Sequence, residues 1–165
     1  MARKVSSRAL DAAAWRLLDA LQSDGRASLK TLAASAGMSI AATAERIRRL
    51  RESGVVRAIA ADVDASRTGY PVKAVVGITV THPGKKPLLE RLRRAPEVIE
   101  CHHVAGEDSY LMIVVVPGLA ELERFVGTIN GYGETRTWIV FSTPIERRGL
   151  VKPGSGRRPD DRKSS

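Results

Sequence analysis

The sequence predicts an α+β chain in two parts, three helices followed by a β-α-β-β-α-β unit. Two observations carry the prediction of fold. Apolar residues repeat at helical spacing as far as Leu50, and they alternate beyond Pro71. Gly and Pro breakers then cut the second stretch into segments of strand and helix length. A third observation concerns charge. Residues 1–60 hold 11 Lys/Arg against 5 Asp/Glu, residues 61–150 hold 11 of each, and residues 151–165 hold 5 against 2. A basic first third joined to a neutral body points to a polyanion for the first part and a different task for the second.

Composition narrows the class. With 43% hydrophobic residues and a mean hydropathy of −0.15, the 165-residue chain reads as a folded, water-soluble protein. No apolar run approaches the roughly 20 residues that a spanning helix needs. The opening MARKVSSRALDAAAW lacks the apolar stretch of a secretory signal. The single cysteine excludes an internal disulfide framework, and together these features predict a cytoplasmic protein.

Residues 1–9 form a basic lead expected to be disordered. Residues 10–63 form the first unit. Leu10, Ala14, Leu17, Leu18 and Leu21 follow one helical face, and Ser23-Asp24-Gly25 ends it. Ser28 is placed to cap a second helix, whose Leu29, Leu32, Ala33 and Ala36 recur at helical spacing before Gly37. Ser39 caps a third, with Thr43, Ile47 and Leu50 inward. That turns Ala41, Ala42, Glu45, Arg48 and Arg49 outward and leaves Arg46 on the flank. Capped helix, glycine turn and basic second helix are the signature of a helix-turn-helix. A helical hairpin with a solvated basic face fits this segment alone equally well. Val55, Val56, Ile59 and Val63 follow in short extended pieces, a small wing or a departing strand.

Residues 64–71, DASRTGYP, are a linker, and residues 72–150 form the second unit. Alternation from Val72 to Thr81 predicts a strand, and Leu88, Leu89, Leu92 and Ala95 a helix closed by Pro96. Val98–Val104 is the second strand. Tyr110–Val116, with its continuous LMIVVV, is the third, expected to be central and covered on both faces. Leu119, Leu122, Phe125, Val126 and Ile129 give another helix, and Thr135–Thr143 the last strand. This order is the ferredoxin-like one, whose sheet keeps one face open for a partner, most simply a second copy. Residues 151–165 read as a disordered basic tail.

The combined pattern resembles the leucine-responsive regulatory protein/AsnC (feast/famine) family of transcription regulators. Its most specific run is Arg46-Ile47-Arg48-Arg49-Leu50 followed by Gly54-Val55-Val56. Leu10-Asp11, Asp24-Gly25-Arg26, Gly69, Pro96-Glu97-Val98, Gly106 and Tyr110-Leu111 add to it. The resemblance implies a sequence-specific regulator binding double-stranded DNA, homodimeric through its sheet and often tetrameric or octameric, modulated by an amino acid or another small metabolite. The DNA-binding set is then Ser28, Ser39, Ala41, Ala42, Glu45, Arg46, Arg48 and Arg49. Small residues suit thymine methyls, Glu45 a cytosine N4 donor, and the three arginines the phosphates. The effector loop falls on Gly106, Glu107, Asp108, Ser109 and Tyr110, with Thr135, Arg136 and Thr137 nearby. The family's usual acidic residue three after the loop glycine is Ser109 here, and Asp108 stands one earlier. The family's acidic residue in the first helix is replaced by Ala14.

Other chemistries find less support. Glu100-Cys101-His102-His103 suggests zinc, but strand alternation sends Cys101 and His103 to one face and Glu100 and His102 to the other. The plainer expectation is a buried cysteine and two sheet histidines, with no metal and no cofactor. No serine–histidine–acid set, phosphate-binding loop or dinucleotide fingerprint occurs, so no enzyme is expected. Some relatives of the family's architecture are sirohaem decarboxylases, for which His102 and His103 would be the candidates. An RNA-reading sheet needs stacking aromatics, and the chain has 4%. An architectural DNA-binding protein without effector is the remaining alternative.

Overall fold

The computed structural model describes residues 10–155; the basic lead at 1–9 and most of the tail, 156–165, lie outside the described residues. Contacts group residues 10–61 with 145–155 into one unit and Asp62–Pro144 into a second. Residues 145–150, which the sequence places with the second unit, thus group with the first.

In the first unit, α1 (Ala12–Ser23), α2 (Leu29–Ala36) and α3 (Ile40–Glu52) fold around Leu17, Leu32 and Ala36. Ala14, Thr43 and Leu50 are buried as well. Each helix starts on a side chain that accepts from a free first-turn amide: Asp11 from Ala14, Ser28 from Thr31, Ser39 from Ala42. Gly37 ends α2 at φ +66°, a left-handed value that L side chains adopt at a cost. The Thr43 hydroxyl, inside the core, donates to the Ser39 carbonyl at 2.9 Å. Residues 55–64 form no strand, so what the sequence reads as a wing carries no ladder of its own. Residues after Pro144 return to α1, where the Gln22 amide donates to the Leu150 carbonyl at 3.0 Å and accepts from its N–H at 2.6 Å.

In the second unit the linker is not featureless. Asp64 caps a 3₁₀ turn, Ala65–Thr68, that ends in Gly69 at φ +95°. The strands are β1 (Val72–Thr79), β2 (Val98–His103), β3 (Tyr110–Val116) and β4 (Glu134–Ile139). They pair antiparallel in the order β2-β3-β1-β4, the ferredoxin-like arrangement. Helices α4 (Lys85–Leu92) and α5 (Leu119–Ile129) contribute Leu88, Leu92, Leu122, Phe125 and Ile129. These close over Ala74, Val76, Ile78, Met112, Val114 and Val116. Each large side chain buried this way contributes roughly 1.5–3 kcal/mol.

Three details differ from the sequence reading. β1 stops at Thr79, because the Ser109 hydroxyl accepts from the Val80 N–H at 3.1 Å in place of a ladder partner. β3 is central but fully covered on one face only: on its other side Val115 is buried, while Leu111 and Ile113 are half-buried. Cys101 is exposed, since β2 is an edge strand that α4 covers incompletely.

Candidate nucleic-acid interface and effector loop

The outward face of α3 is built by its cap and its period. Ser39 accepts from Ala42 N–H at 3.2 Å, and the Thr43–Leu50 row faces the core. Ala41, Ala42, Arg48 and Arg49 are exposed and Glu45 is half-buried. Ser28 is exposed, its hydroxyl engaged with Thr31 N–H at 3.1 Å and with Thr31 Oγ1 at 2.8 Å. An unobstructed arc of small residues followed by guanidinium groups is what a major groove and its bordering phosphates accept.

The charges on this arc are not free. The Glu45 carboxylate accepts from Arg48 Nη2 at 2.8 Å and from Arg49 Nε at 2.7 Å. These bonds hold its pKa down to about 2. Arg48 also pairs with Glu52. Arg46 is placed differently, with its Nη1 on Asp11 Oδ2 at 2.9 Å, at the start of α1. The other Asp11 oxygen caps α1 on Ala14 N–H at 2.8 Å. The Ala14 amide first and then Arg46 lower the Asp11 pKa. Arg16, which the sequence reading passed over, donates from Nη2 (2.8 Å) and Nε (3.3 Å) to the Ala36 carbonyl. It thereby serves one of the orphan carbonyls at the end of α2.

The Gly106 loop, which the resemblance assigns to an effector, gathers its residues selectively. Asp108, about 9% exposed, lies over the open sheet face and accepts from Arg136 Nη1 at 2.9 Å. Glu107 and Glu134 stand 3.7 and 3.9 Å from the same guanidinium. Thr79 Oγ1 fixes the loop by donating to the Glu107 carbonyl at 2.9 Å. Gly77 lies opposite Arg136, and Asp108 fills the space where its side chain would be: a Cβ there would stand 2.7 Å from Asp108 Cγ. The sequence reading missed Gly77, although a glycine inside a strand is a recognised sign of close approach.

The remaining loop residues point elsewhere. The Ser109 hydroxyl is engaged with the Val80 backbone, accepting from its N–H and donating to its carbonyl at 3.3 Å. Tyr110 is buried on the helix side, its ring 5.0 Å from that of His103. Thr135 donates to Asn130 Oδ1 at 2.7 Å. Thr137 pairs with Val76, whose side chain is in the core, and is itself exposed. Gly106, at φ +156°, starts the loop. Arg136 and Asp108 are thus brought together, while Ser109, Tyr110, Thr135 and Thr137 do not converge with them.

On β2, Cys101 and His103 pair with Met112 and Tyr110 on the helix side, and Glu100 and His102 with Ile113 and Leu111 on the open side. Partial desolvation raises the pKa of the Cys101 thiol. His102 Nε2 meets Glu100 at 3.1 Å. Among the described residues no three His, Cys, Asp or Glu side chains converge as a metal site. His102 and His103 lie on opposite faces of this strand.

Comparison with known proteins covers both units. Residues 10–57 match the winged helix-turn-helix DNA-binding model, and residues 73–150 the Lrp/AsnC ligand binding domain. The HTH-type transcriptional regulator LrpA of Mycobacterium tuberculosis is 36% identical over 132 residues, 79% of this chain and 88% of its own. The leucine-responsive regulatory protein of Haemophilus influenzae is 32% identical over 156 residues, 90% of this chain and 93% of its own. Among solved structures, a feast or famine regulatory protein from M. tuberculosis complexed with L-methionine superimposes with a TM-score of 0.80 at 35% identity. That match covers 87% of this chain and 99% of the other.

Proposed function

The chain belongs to the Lrp/AsnC family of DNA-binding transcription regulators, and we propose that α3 reads the major groove while the Gly106 loop takes an amino-acid effector. One observation carries the DNA reading: behind the Gly37 turn, the exposed arc of α3 presents Ala41 and Ala42, then Glu45, Arg48 and Arg49. Ala41 and Ala42 are small enough to let the helix approach base edges. Arg48 and Arg49 leave Glu45 for phosphates as the helix docks, exchanging one anion for another. Glu45 is then available to a cytosine N4 donor.

The open sheet face carries Val75, Leu111 and Ile113 half-buried and Trp138 at 48% exposure. A second copy covering this face makes a two-fold dimer, which suits pseudo-palindromic sites with half-sites about one helical turn apart, or a multiple of that. Arg136 supplies a carboxylate partner, and Glu107 and Glu134 supply ammonium partners, which is the chemistry of an amino acid. The relative's complex with L-methionine supports this reading. Such an effector works through unequal affinity for two assembly states. A regulator of this kind works in the cytoplasm, where its DNA lies.

Binding to a duplex selected from a random-sequence pool, measured against salt, tests the DNA reading. Replacing Arg48 and Arg49 by alanine reduces the salt slope by about 0.9 for each phosphate the protein no longer neutralises. An unchanged slope removes α3 from the interface. A thermal-shift screen with the common amino acids tests the effector. At a hundred times its Kd a ligand adds about 2.7 kcal/mol, and silence across the set refutes this part.

A further inference from the structure

We propose that Arg46 stays with the protein when α3 docks: with Asp11 it forms a strut between α1 and α3 that sets how the recognition helix is presented. The inference rests on the DNA-binding reading and changes the role assigned to one of its three arginines. Three observations carry it.

The first is direction. At about 100° per residue from the inward Thr43, Arg46 lies only about 60° from the core line, whereas Arg49, Arg48 and Glu45 lie about 120–160° from it. The second is occupancy. Both oxygens of Asp11 are engaged, one capping α1 on Ala14 and the other on Arg46 at 2.9 Å. The carboxylate that starts α1 is thus the one that holds α3. Arg46 makes its pair across 35 residues of sequence, while Arg48 and Arg49 pair only within their own helix. Its side chain is 36% exposed against 57% and 71% for Arg48 and Arg49. The third is a parallel tie. Arg16, on the same α1, donates to Ala36 at the end of α2, one residue before the Gly37 turn. Helix α1 therefore grips the reading motif at both of its helices, through Ala36 on α2 and Arg46 on α3. Asp11, Arg16 and Arg46 are positioning residues, and Arg48 and Arg49 are left as the phosphate pair of this helix.

The test is a double-mutant cycle with Asp11→Asn, Arg46→Gln and the pair together, in the full chain. Asparagine keeps the helix cap, so the first variant removes the ion pair alone. The probe is the duplex that the wild-type protein selects from a random-sequence pool, and binding is followed across salt well below the melting temperature. Each single variant weakens binding about threefold per DNA-binding unit, in the range of an exposed ion pair. The double variant is no weaker than either, and all keep the wild-type salt slope.

A slope that falls by about 0.9 per DNA-binding unit in Arg46→Gln puts Arg46 on a phosphate and overturns the proposal. So does an Asp11→Asn variant that binds as well as wild type or better. A lowered melting temperature with unchanged affinity makes the pair structural only and also overturns it. Wild-type protein that selects no duplex sinks the DNA reading and this inference together. A change confined to the Arg46 slope sinks the inference alone.

Discussion

Gly77→Ala is the sharpest perturbation of the Gly106 loop. The new Cβ would stand 2.7 Å from Asp108 Cγ and 3.1 Å from its Oδ1, and nearer still to Oδ2. Ordinary contact needs about 3.4 Å or more, so the carboxylate must withdraw from the sheet. It cannot swing freely, because Arg136 holds it at 2.9 Å and the Ser109 N–H donates to the Ile78 carbonyl at 2.9 Å beside it. Withdrawal breaks a half-buried, charge-assisted bond of about 1.5–3 kcal/mol. Alanine in a strand interior returns roughly 0.5–1 kcal/mol relative to glycine. The net cost is about 1–2 kcal/mol, or a melting temperature lower by roughly 4–16 °C for a unit of this size. Calorimetry at fixed protein concentration measures it. The control is Asp108→Ala, which removes the obstacle. On that background Gly77→Ala costs nothing or stabilises, and the cycle reports the coupling. Equal costs on both backgrounds refute the packing of Asp108 against Gly77.

Three further predictions rest on two hydrogen-bonded groups, Ser109 and Glu45. Ser109→Ala leaves the Val80 amide without the hydroxyl it donates to at 3.1 Å. It lowers stability by about 1 kcal/mol in urea unfolding and leaves any effector response in place; an unmoved midpoint refutes the role. Glu45, held at a pKa of about 2 by Arg48 and Arg49, titrates below its unfolded value of about 4.3. Its contribution to stability is therefore complete above pH 4.3 and is lost as pH falls towards 2. A carboxyl midpoint near 4.3 in an NMR titration contradicts the ion pairs. Glu45→Gln removes them and raises nonspecific DNA affinity, read in a filter or retardation assay against a mixed-sequence duplex.

Much of the fold was legible because it is written in local rules. Ser28, Gly37 and Ser39 occupy the cap and turn positions that their side chains suit, and the spacing of Thr43 and Leu50 gave the inward line of α3. The order of strands and helices from Val72 to Ile139 followed from alternation and from breakers. What escaped was contact between residues far apart in sequence. Arg16 reaches Ala36, Arg46 reaches Asp11, and Gln22 reaches Leu150 across 128 residues. None of these leaves a period or a motif behind. Asp11 was visible as a residue before a helix, but its second partner was not. Cys101 shows the opposite failure. Its residue type favours burial, yet an edge strand exposes it.

The Gly106 loop joins these two kinds of information. In the sequence, Ser109 stands where the family has an acid, and Asp108 looks displaced by one residue. The fold gives both a use. In a turn, adjacent side chains leave in different directions, so Ser109 bends to the Val80 backbone while Asp108 turns across the sheet to Arg136. That direction is open only because β1 has Gly77 beneath it, where any larger residue would meet the carboxylate. Gly77, Asp108 and Arg136 are therefore one unit, drawn from a strand, a loop and another strand. On the proposed effector reading, a carboxylate already seated on Arg136 gives an incoming amino acid two routes. Its own carboxylate displaces Asp108 and frees the loop, or its ammonium joins Glu107 and Glu134 with the Asp108 pair intact. Asp108→Asn separates them. If displacement is required, weakening the internal pair strengthens effector binding; if the pair stays closed, binding is unchanged or weaker.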